Sequence, residues 1–359
     1  MKKSKVVHII SSLDVGGAER VFIDICNLLN EKGHDVTALL IRQKGELFNY
    51  LSNGVKKINL DRKFKFDILA FKNLYNLLDE FDIIHVHTRY TFYFVSAVMA
   101  LKKNKNYKLI FHDHYGKIEV DTKVPFFLKI LNKNFFYVGV SKELYNWAIN
   151  NVRIKSSKVF LLENIRVFKK NSFQNTIKTT SKEFRYVIVS NLHPIKNIEF
   201  AIDIFEKLLN KQNASLTIIG KINDINYYEY LKKIIIKKNI DNFVKFLHNE
   251  NNVLSILNNF NFGLFTSKSE SGPLVLIEYL SQNIPFLSYE TGNVAKKIKT
   301  DNPDLIIDNF DLNKWEKRIF KIIDLNEKEL NLDFIFQKHF SIDKYYNDIV
   351  NIYTKITNY

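Results

Sequence analysis

Cysteine is almost missing from this sequence: Cys26 is the single thiol among 359 residues. One cysteine excludes a disulfide within the chain and fits a reducing cytoplasm. Long apolar runs are missing as well, because the longest uncharged apolar stretch, residues 90–101, is far shorter than the roughly 20 residues of a membrane-spanning helix. We therefore expect a buried helix there and no transmembrane anchor. Residues 1–10 lead directly into a strand–helix pattern without a signal-peptide cleavage site, so we expect a cytoplasmic protein.

Two further absences narrow the function. The sequence contains no GxGxxG pattern, so a nicotinamide-binding site is not supported. It also contains no recognised nucleic-acid-binding motif, and its basic residues are scattered rather than clustered. We expect no nucleic-acid partner.

Positive charge is abundant and unevenly distributed. The net charge is +15, and residues 1–170 hold 29 Lys and Arg against 16 Asp and Glu, whereas residues 171–359 hold 24 against 22. A basic first half suggests an anionic partner there, such as a membrane surface or a phosphorylated acceptor. The alternative is that the excess charge serves solubility only.

The pattern along the chain is typical of two α/β domains. Hydrophobic residues make up 46% of the sequence, and a domain usually takes about 100–200 residues. Short apolar strands alternate with amphipathic helices in both halves, which predicts two parallel, doubly wound sheets. A polar stretch rich in Thr, Ser, Asn and Lys separates them. We predict a first domain over 1–165, a linker over 166–183, a second domain over 184–340 and a C-terminal helix over 341–359.

Two loops at predicted strand ends carry candidate anion-binding residues. Open α/β sheets bind ligands at the carboxyl ends of their strands. Gly16 and Gly17 precede the first helix, where backbone N–H groups can approach an anion. Lys196 follows the strand that opens the second domain and suits a diphosphate. Taken alone, each is equally well explained as an ordinary turn or a solvated lysine.

The third loop, from Ser269 to Tyr279, is the most informative. Gly272, Pro273 and Leu274 stand at a predicted helix start over 273–281, which frees backbone donors for an anion. Glu278 lies two helical turns beyond Glu270 in this interpretation, so both carboxylates would face one cleft. One would accept the hydroxyls of a ribose, and the other would hold a sugar or oppose a developing positive charge.

Two His-x-His pairs end neighbouring predicted strands: His85 with His87, and His112 with His114. Such pairs can bind zinc. They also arise from hydrogen bonding and packing, and the sequence indicates neither a cysteine ligand nor a distant carboxylate. We predict no metal site.

In their order and spacing, these motifs resemble glycosyltransferase family four, retaining enzymes of the GT-B fold. The resemblance rests on GGAER at 16–20, His112-Asp113, Asn164 in LLENI, L-x3-K-N ending at Asn197, and E-x7-E from Glu270 to Glu278. A Thr-Gly-Asn sequence at 291–293 adds to it. The resemblance covers nearly the whole chain and implies two Rossmann-like domains facing each other across a cleft, with the C-terminal helix packing back toward the first.

The resemblance also implies a role for each matching residue. Lys196 binds the diphosphate, Glu270 and His112 contact the transferred sugar, and Glu278 holds the nucleotide ribose. Gly16 and Gly17 approach the reaction centre from the first domain, while Gly272, Pro273 and Leu274 offer backbone donors to the sugar and phosphates. The donor is a nucleotide-diphosphate sugar, no cofactor is implied, and the leaving group is stabilised without a metal.

Three positions depart from the family pattern. Asn191 stands where the family has an arginine, so the charge-assisted fork on the diphosphate is missing and only a neutral hydrogen bond remains. Either Lys196 alone suffices for the diphosphate, or another cation such as Lys221 or Lys268 helps. Ser271 and Ile165 each replace a usual glycine.

The sequence therefore predicts a retaining glycosyltransferase that uses a glycan or a polyprenyl-diphosphate-linked acceptor in surface polysaccharide or lipopolysaccharide synthesis. Two alternatives are left open: an epimerase or phosphorylase on the same fold, and a catalytically degenerate paralogue that binds nucleotide as a partner subunit.

A basic and aromatic segment, residues 123–136, is the candidate contact with an anionic membrane surface. We predict a helix after Pro125 with Phe127, Ile130, Leu131 and Asn134 on one side, and we expect Lys123, Lys129 and Lys133 to contact the lipid. The alternative is an ordinary core helix. A cytoplasmic enzyme at the inner face of the plasma membrane is the corresponding location.

Overall fold

The computed structural model describes residues 4–64, 67–102, 107–130, 134–166, 183–248, 250 and 253–359. The chain divides into two units, the first comprising residues 1–167 with 342–359 and the second residues 168–341. Within the predicted linker, residues 167–182 lie outside the described residues. Each unit is built on its own sheet.

The first unit contains a seven-stranded parallel sheet with the order β3-β2-β1-β4-β5-β6-β7. Its strands are β1 (Val6–Ile10), β2 (Val36–Leu40), β3 (Lys56–Asn59), β4 (Ile83–His87), β5 (Lys108–Asp113), β6 (Phe136–Gly139) and β7 (Val159–Leu161). Its first five helices are α1 (Gly17–Glu31), α2 (Ile68–Leu77), α3 (Arg89–Ala100), α4 (Phe126–Ile130) and α5 (Lys142–Asn150). The strand order reverses between β1 and β4, which places the loops after these two strands at the usual ligand-binding edge.

The central strands are buried along their whole length. All residues of β1, β2 and β4 are buried, because helices of an α/β unit cover both faces of a parallel sheet. Most of these residues are apolar, and the polar ones are Thr37 of β2 and the histidines of β1 and β4.

The second unit contains a six-stranded parallel sheet with the order β10-β9-β8-β11-β12-β13. Its strands are β8 (Phe184–Val189), β9 (Ala214–Ile219), β10 (Val244–Leu247), β11 (Phe262–Phe265), β12 (Phe286–Tyr289) and β13 (Ile306–Ile307). Its helices are α6 (Ile198–Leu209), α7 (Ile225–Lys237), α8 (Val253–Leu257), α9 (Leu274–Ser281), α10 (Gly292–Asp301), α11 (Leu312–Asp324), α12 (Glu327–Leu330) and α13 (Leu332–Phe340). Here the order reverses between β8 and β11.

The last helix, α14 (Ile342–Thr357), belongs to the first unit. Its buried face carries Tyr345, Ile349, Ile352, Tyr353 and Ile356. The predicted fold, two doubly wound Rossmann-like domains with a C-terminal helix returning to the first, is confirmed. Within the described parts of the chain, no helix combines the length and the apolar character needed to cross a bilayer.

Candidate active site

Lys196 and Glu270 meet at the switch point of the second sheet. They stand in the loops that follow β8 and β11, which are neighbouring parallel strands. The Lys196 ammonium group forms an ion pair with the Glu270 carboxylate, and the two side chains are 22% and 18% exposed. The structure thus brings together two residues that the sequence assigned to one reaction centre, and it keeps both within reach of solvent.

Backbone contacts fix the Lys196 loop. Residues Pro194–Lys196 form one turn of 3-10 helix, and His193 Nδ1 accepts a hydrogen bond from the Ile195 amide at 3.2 Å. The Thr266 hydroxyl donates to the Lys196 carbonyl at 3.1 Å, and the Lys268 amide donates to the Ile195 carbonyl at 2.9 Å. The loop after β8 is therefore fastened to the loop after β11, so the position of Lys196 does not depend on its side chain alone.

The Thr-Gly-Asn sequence after β12 holds the Glu270 segment. The Glu270 amide donates to Thr291 Oγ1 at 3.0 Å, and the Asn293 amide donates to the Ser271 carbonyl at 3.0 Å. Gly292 has φ +72°, and a Cβ there would lie 2.9 Å from the Glu270 carbonyl oxygen. Only glycine fits this turn without strain. The sequence interpretation missed this positioning role, because Thr291 follows a different strand.

Two helix N-termini flank the Glu270 segment. α9 begins at Leu274, with Pro273 before it in an extended conformation, and α10 begins at Gly292. Neither start receives a side-chain capping hydrogen bond from the described residues. Both ends are partially positive and suit an anion.

The predicted geometry of the two carboxylates was wrong in one respect. Glu270 lies in the loop before α9 rather than on the helix, since the chain becomes helical only at Leu274. Helical periodicity therefore does not relate Glu270 to Glu278. Glu278 itself lies on α9 and is 5% exposed. Its predicted contact with the ribose stays a prediction.

Asn191, which stands where the family has arginine, joins two loops of the second unit. Its Oδ1 accepts a hydrogen bond from the Lys221 amide at 3.3 Å. Lys268, one of the two candidate substitute cations, lies 4.0 Å from Glu199 and is half exposed. The side-chain oxygen of Asn191 thus already accepts a hydrogen bond within the protein. The side-chain NH2 group is the one able to donate to a ligand.

In the first unit, Gly16 and Gly17 form the turn between β1 and α1. Gly16 precedes the helix in an extended conformation, and Gly17 is its first residue. The Glu19 carboxylate lies against Gly16, where a Cβ would otherwise project. Since an acidic group already occupies this positive helix end, an anion at the turn requires Glu19 to move.

His112 belongs to a group of five neighbouring histidines: His8, His85, His87, His112 and His114. Strand register places His8 opposite His85, and His87 opposite His112. Because residues i and i+2 share a face of a strand, all five rings gather on one side of the sheet. The ring nitrogens pair with one another and with Tyr353, so the hydrogen-bonding explanation of the His-x-His pairs is the one observed. His8 and Tyr353 were not singled out from the sequence.

Burial keeps this histidine group neutral. It lowers the pKa of His8 and that of His114 to about 3. It also holds the pKa of His85, His87 and His112 well below 6.5, with neighbouring histidines adding to the effect. Among the described residues, His112 Nε2 is a buried ring nitrogen that has no hydrogen-bond partner.

Comparison with known proteins places both halves of the chain. Residues 15–164 match the family model Glycosyltransferase Family 4, and residues 168–335 match Glycosyl transferases group 1. The capsular polysaccharide biosynthesis glycosyltransferase CapH of Staphylococcus aureus is 26% identical over 290 residues, which cover 79% of this chain and 81% of CapH. The alpha-1,3/1,6-mannosyltransferase ALG2 of Kluyveromyces lactis is 23% identical, covering 91% and 79% respectively.

The fold comparison agrees. The crystal structure of Anabaena HepE in complex with UDP-glucose superposes with a TM-score of 0.81 and 16% identity, covering 98% of this chain and 99% of HepE. These matches do not favour the alternative of a degenerate nucleotide-binding subunit. The chain belongs to the glycosyltransferases, with an N-terminal half of Glycosyltransferase Family 4 and a C-terminal half of the group 1 type.

Proposed function

We propose that this glycosyltransferase moves a sugar from a nucleotide-diphosphate sugar to a hydroxyl group of a glycan or lipid-linked acceptor, with retention of anomeric configuration. Surface polysaccharide or lipopolysaccharide synthesis is the proposed setting. The observation that supports this most is the Lys196–Glu270 pair between two helix N-termini. The UDP-glucose complex of HepE supports a nucleotide-diphosphate sugar as the donor. The similarity to CapH, a capsular polysaccharide biosynthesis glycosyltransferase, supports the setting.

The positive charges around Lys196 can stabilise a diphosphate leaving group. An ammonium group has three N–H donors, so Lys196 can keep Glu270 while it binds a phosphate oxygen. Negative charge grows on the diphosphate as the glycosidic bond breaks, and a fixed cation with two helix N-termini stabilises it most at that point. Glu270 opposes the positive charge that develops on the sugar.

In the proposed reaction the acceptor oxygen attacks the anomeric carbon from the face that the diphosphate leaves. The C–O bond to the diphosphate breaks as the new glycosidic bond forms, and the acceptor proton passes to a leaving phosphate oxygen. In this proposal Glu278 holds the ribose, and Gly272 to Leu274 donate backbone N–H groups. The roles that the resemblance implies for His112, Gly16 and Gly17 of the first unit stay predictions.

The Lys196→Ala variant tests the leaving-group role. We expect kcat to fall by about 100-fold, with a smaller change in KM, because the charge acts mainly in the transition state. Lys237→Ala, on the exposed side of α7, is the matched control and should keep its activity. A folded Lys196→Ala enzyme with nearly full kcat would refute the role.

We also propose that turnover needs no divalent metal, because protein groups supply the positive charge. Extensive treatment with EDTA should leave kcat unchanged. If EDTA abolishes turnover and Mg²⁺ or Mn²⁺ restores it, this part of the proposal is wrong.

For the acceptor, we propose contact with an anionic membrane surface. The segment differs from its predicted form: α4 covers only Phe126–Ile130, and residues 131–133 lie outside the described ones. Over 126–129, where side-chain burial is described, Leu128 is the buried residue. Phe126 is 75% exposed, between the exposed Lys123 and Lys129. Phe127 packs against the half-exposed Tyr93 of α3 at a ring distance of 5.6 Å.

Apolar side chains thus continue from α4 onto α3. On the neighbouring α2, Ile68 and Leu69 are 79% and 73% exposed. Exposed apolar groups rimmed by lysines are typical of an interfacial surface. This surface supports a lipid-linked, polyprenyl-diphosphate type of acceptor.

Flotation with liposomes tests the membrane contact. The protein should float with vesicles containing anionic lipid and less so at high salt, because the attraction between lysine and lipid is screened. Phe126→Ser combined with Lys123→Glu and Lys129→Glu should abolish flotation. Lys233→Glu with Lys237→Glu on α7 is the charge-matched control. A wild-type protein that stays in the soluble fraction at every salt concentration would contradict the membrane contact and favour a soluble glycan acceptor.

A further inference from the structure

Six side chains of the first unit form one unbranched chain of hydrogen bonds. It runs from His112 Nδ1 to His85 Nε2 at 3.1 Å, from His85 Nδ1 to the Tyr353 hydroxyl at 2.8 Å, and from that hydroxyl to His8 Nε2 at 3.1 Å. It continues from His8 Nδ1 to His87 Nε2 at 3.0 Å and from His87 Nδ1 to His114 Nε2 at 3.1 Å. Its two ends are His112 Nε2 and His114 Nδ1.

All hydrogen bonds in this series must be donated in the same direction along it. A neutral imidazole has one N–H donor and one acceptor nitrogen, and a phenol has one O–H. Each ring therefore donates on one side and accepts on the other, and the buried Tyr353 O–H needs one of its two histidine neighbours as its acceptor. Two arrangements meet both conditions: all five rings protonated at Nδ1, or all five at Nε2.

The ends of the chain select one arrangement. His112 Nε2 is fully buried and lacks a partner among the described residues, whereas His114 is partly exposed. At His112 Nε2, a buried N–H without an acceptor costs more free energy than a buried lone pair without a donor. The arrangement with Nδ1–H throughout places a lone pair at His112 Nε2 and the terminal N–H at His114, where water can accept it.

We propose that His85, Tyr353, His8, His87 and His114 are positioning residues that hold His112 as the Nδ1–H tautomer, so that His112 Nε2 accepts a hydrogen bond from a hydroxyl group of the bound sugar. Because His112 Nε2 carries a lone pair, a sugar with a hydroxyl group facing it should bind more tightly than a sugar without that hydroxyl. The consequence for the sugar rests on the proposed function, but the tautomer does not.

Zinc is the competing explanation. Two sets of three ring nitrogens, those of His8, His85 and His87 and those of His87, His112 and His114, lie within 4.8 Å of one another. However, each internal nitrogen of the chain already takes part in a hydrogen bond, and a metal would have to displace these bonds. The observed pairing favours the hydrogen-bonded chain.

Tyr353→Phe cuts the chain in its middle with the loss of a single oxygen atom. His85 Nδ1–H then has no acceptor, and moving the proton to His85 Nε2 only transfers the unpartnered N–H to the buried His112 Nε2. The two arrangements of the isolated His85–His112 pair therefore become similar in free energy. The variant thus removes the preference for Nδ1–H at His112. Tyr345→Phe is the matched control, because Tyr345 lies on the same helix and its buried hydroxyl has no partner among the described residues.

The experiment is long-range ¹H–¹⁵N NMR of histidine-labelled, ligand-free protein, which distinguishes the two tautomers ring by ring. We expect Nδ1–H for all five rings in the wild type and in Tyr345→Phe, and a mixture of the Nδ1–H and Nε2–H tautomers at His85 and His112 in Tyr353→Phe. Addition of ZnCl2 should leave the wild-type spectrum unchanged. Nε2–H at His112 in the wild type, unchanged tautomers in Tyr353→Phe, or stoichiometric zinc binding that shifts these rings would each overturn the proposal.

Binding provides the second measurement. Tyr353→Phe should weaken the affinity for the sugar-nucleotide donor by roughly two-fold while the affinity for the nucleoside diphosphate alone stays the same, since only about half of the molecules then carry the acceptor lone pair at His112 Nε2. Tyr345→Phe should change neither. Equal weakening for both ligands, or equal effects of both variants, contradicts the sugar contact. If the tautomers behave as expected but no donor sugar binds the wild type, the proposed function fails and the hydrogen-bonded chain stands.

Discussion

Arg89 forms a bidentate ion pair with Asp113 through two of its nitrogen atoms. Nε lies 3.2 and 3.1 Å from the two carboxylate oxygens, and Nη2 lies 2.9 Å from Oδ2. Asp113 is completely buried and also accepts hydrogen bonds from the Tyr137 hydroxyl and the Tyr115 amide, both at 3.0 Å. The arginine at the start of α3 thus fixes the end of β5, directly between His112 and His114.

Removal of this guanidinium group should destabilise the first unit. Arg89→Met leaves the buried Asp113 carboxylate without its cation, which costs about 3–5 kcal/mol in the free energy of unfolding. Urea denaturation measures it. Adding Asp113→Asn to the Arg89→Met variant should recover part of the loss, because the uncompensated charge is then absent. A loss below about 1 kcal/mol would mean that the pair is dispensable.

The neutral histidines predict sensitivity to mild acid. Burial lowers the pKa of His8 to about 3, whereas an unfolded histidine titrates near 6.5. Below pH 6.5 the unfolded state binds the additional proton, so stability is complete above that pH and falls as the pH drops toward 3. The loss is about 1.4 kcal/mol per pH unit for this one residue.

Unfolding free energies between pH 5.0 and 7.5 test this directly. His8→Gln should be less stable at neutral pH, yet its stability should fall less steeply with acid, by about one proton's slope. Identical slopes for the variant and the wild type would show that His8 does not contribute.

Glu278→Gln should weaken nucleotide binding by about ten-fold, because a neutral amide accepts ribose hydroxyls less strongly than a carboxylate. Isothermal titration with the nucleoside diphosphate is the measurement. Glu229→Gln, on the exposed surface of α7, is the control. Unchanged affinity would remove the ribose assignment.

Asn191→Arg should restore the missing cation at a small cost. Arginine cannot accept the hydrogen bond from the Lys221 amide, which lowers stability by about 1 kcal/mol. Donor affinity should rise, because a charged fork replaces a neutral donor. Asn191→Ala lowers stability alone and serves as the control. If Asn191→Arg binds donor no better than Asn191→Ala, the site does not retain the family geometry.

The strands that the sequence predicts best are those buried on both faces. β1 and β4 are apolar runs except for their histidines. The apolar pattern predicts strands over 5–11 and 82–87, and the observed bounds agree within one residue. β3 was missed because it is an edge strand whose residues, Lys56 to Asn59, are not fully buried. Such a strand lacks the apolar run that marks the central strands.

The candidate site shows the same division. The ends of β8 and β11 are adjacent in the switch-point order, so the proximity of Lys196 and Glu270 follows from topology. The contact of Thr291 with Glu270 and that of Tyr353 with His85 do not, since 21 and 268 positions separate these partners. In the sequence, Tyr353 fits the apolar face of an amphipathic helix. Its position in that pattern does not indicate that its hydroxyl contacts two histidines.

The return of α14 to the first unit has a consequence for biosynthesis. A ribosome delivers β1 to β7 long before Ile342–Thr357, and the second unit, made in between, can fold as soon as it emerges. Until α14 has been synthesised, His8 and His85 lack the Tyr353 hydroxyl, and the nascent first unit lacks the apolar side chains of α14. The first unit is therefore completed only after the second unit has been synthesised.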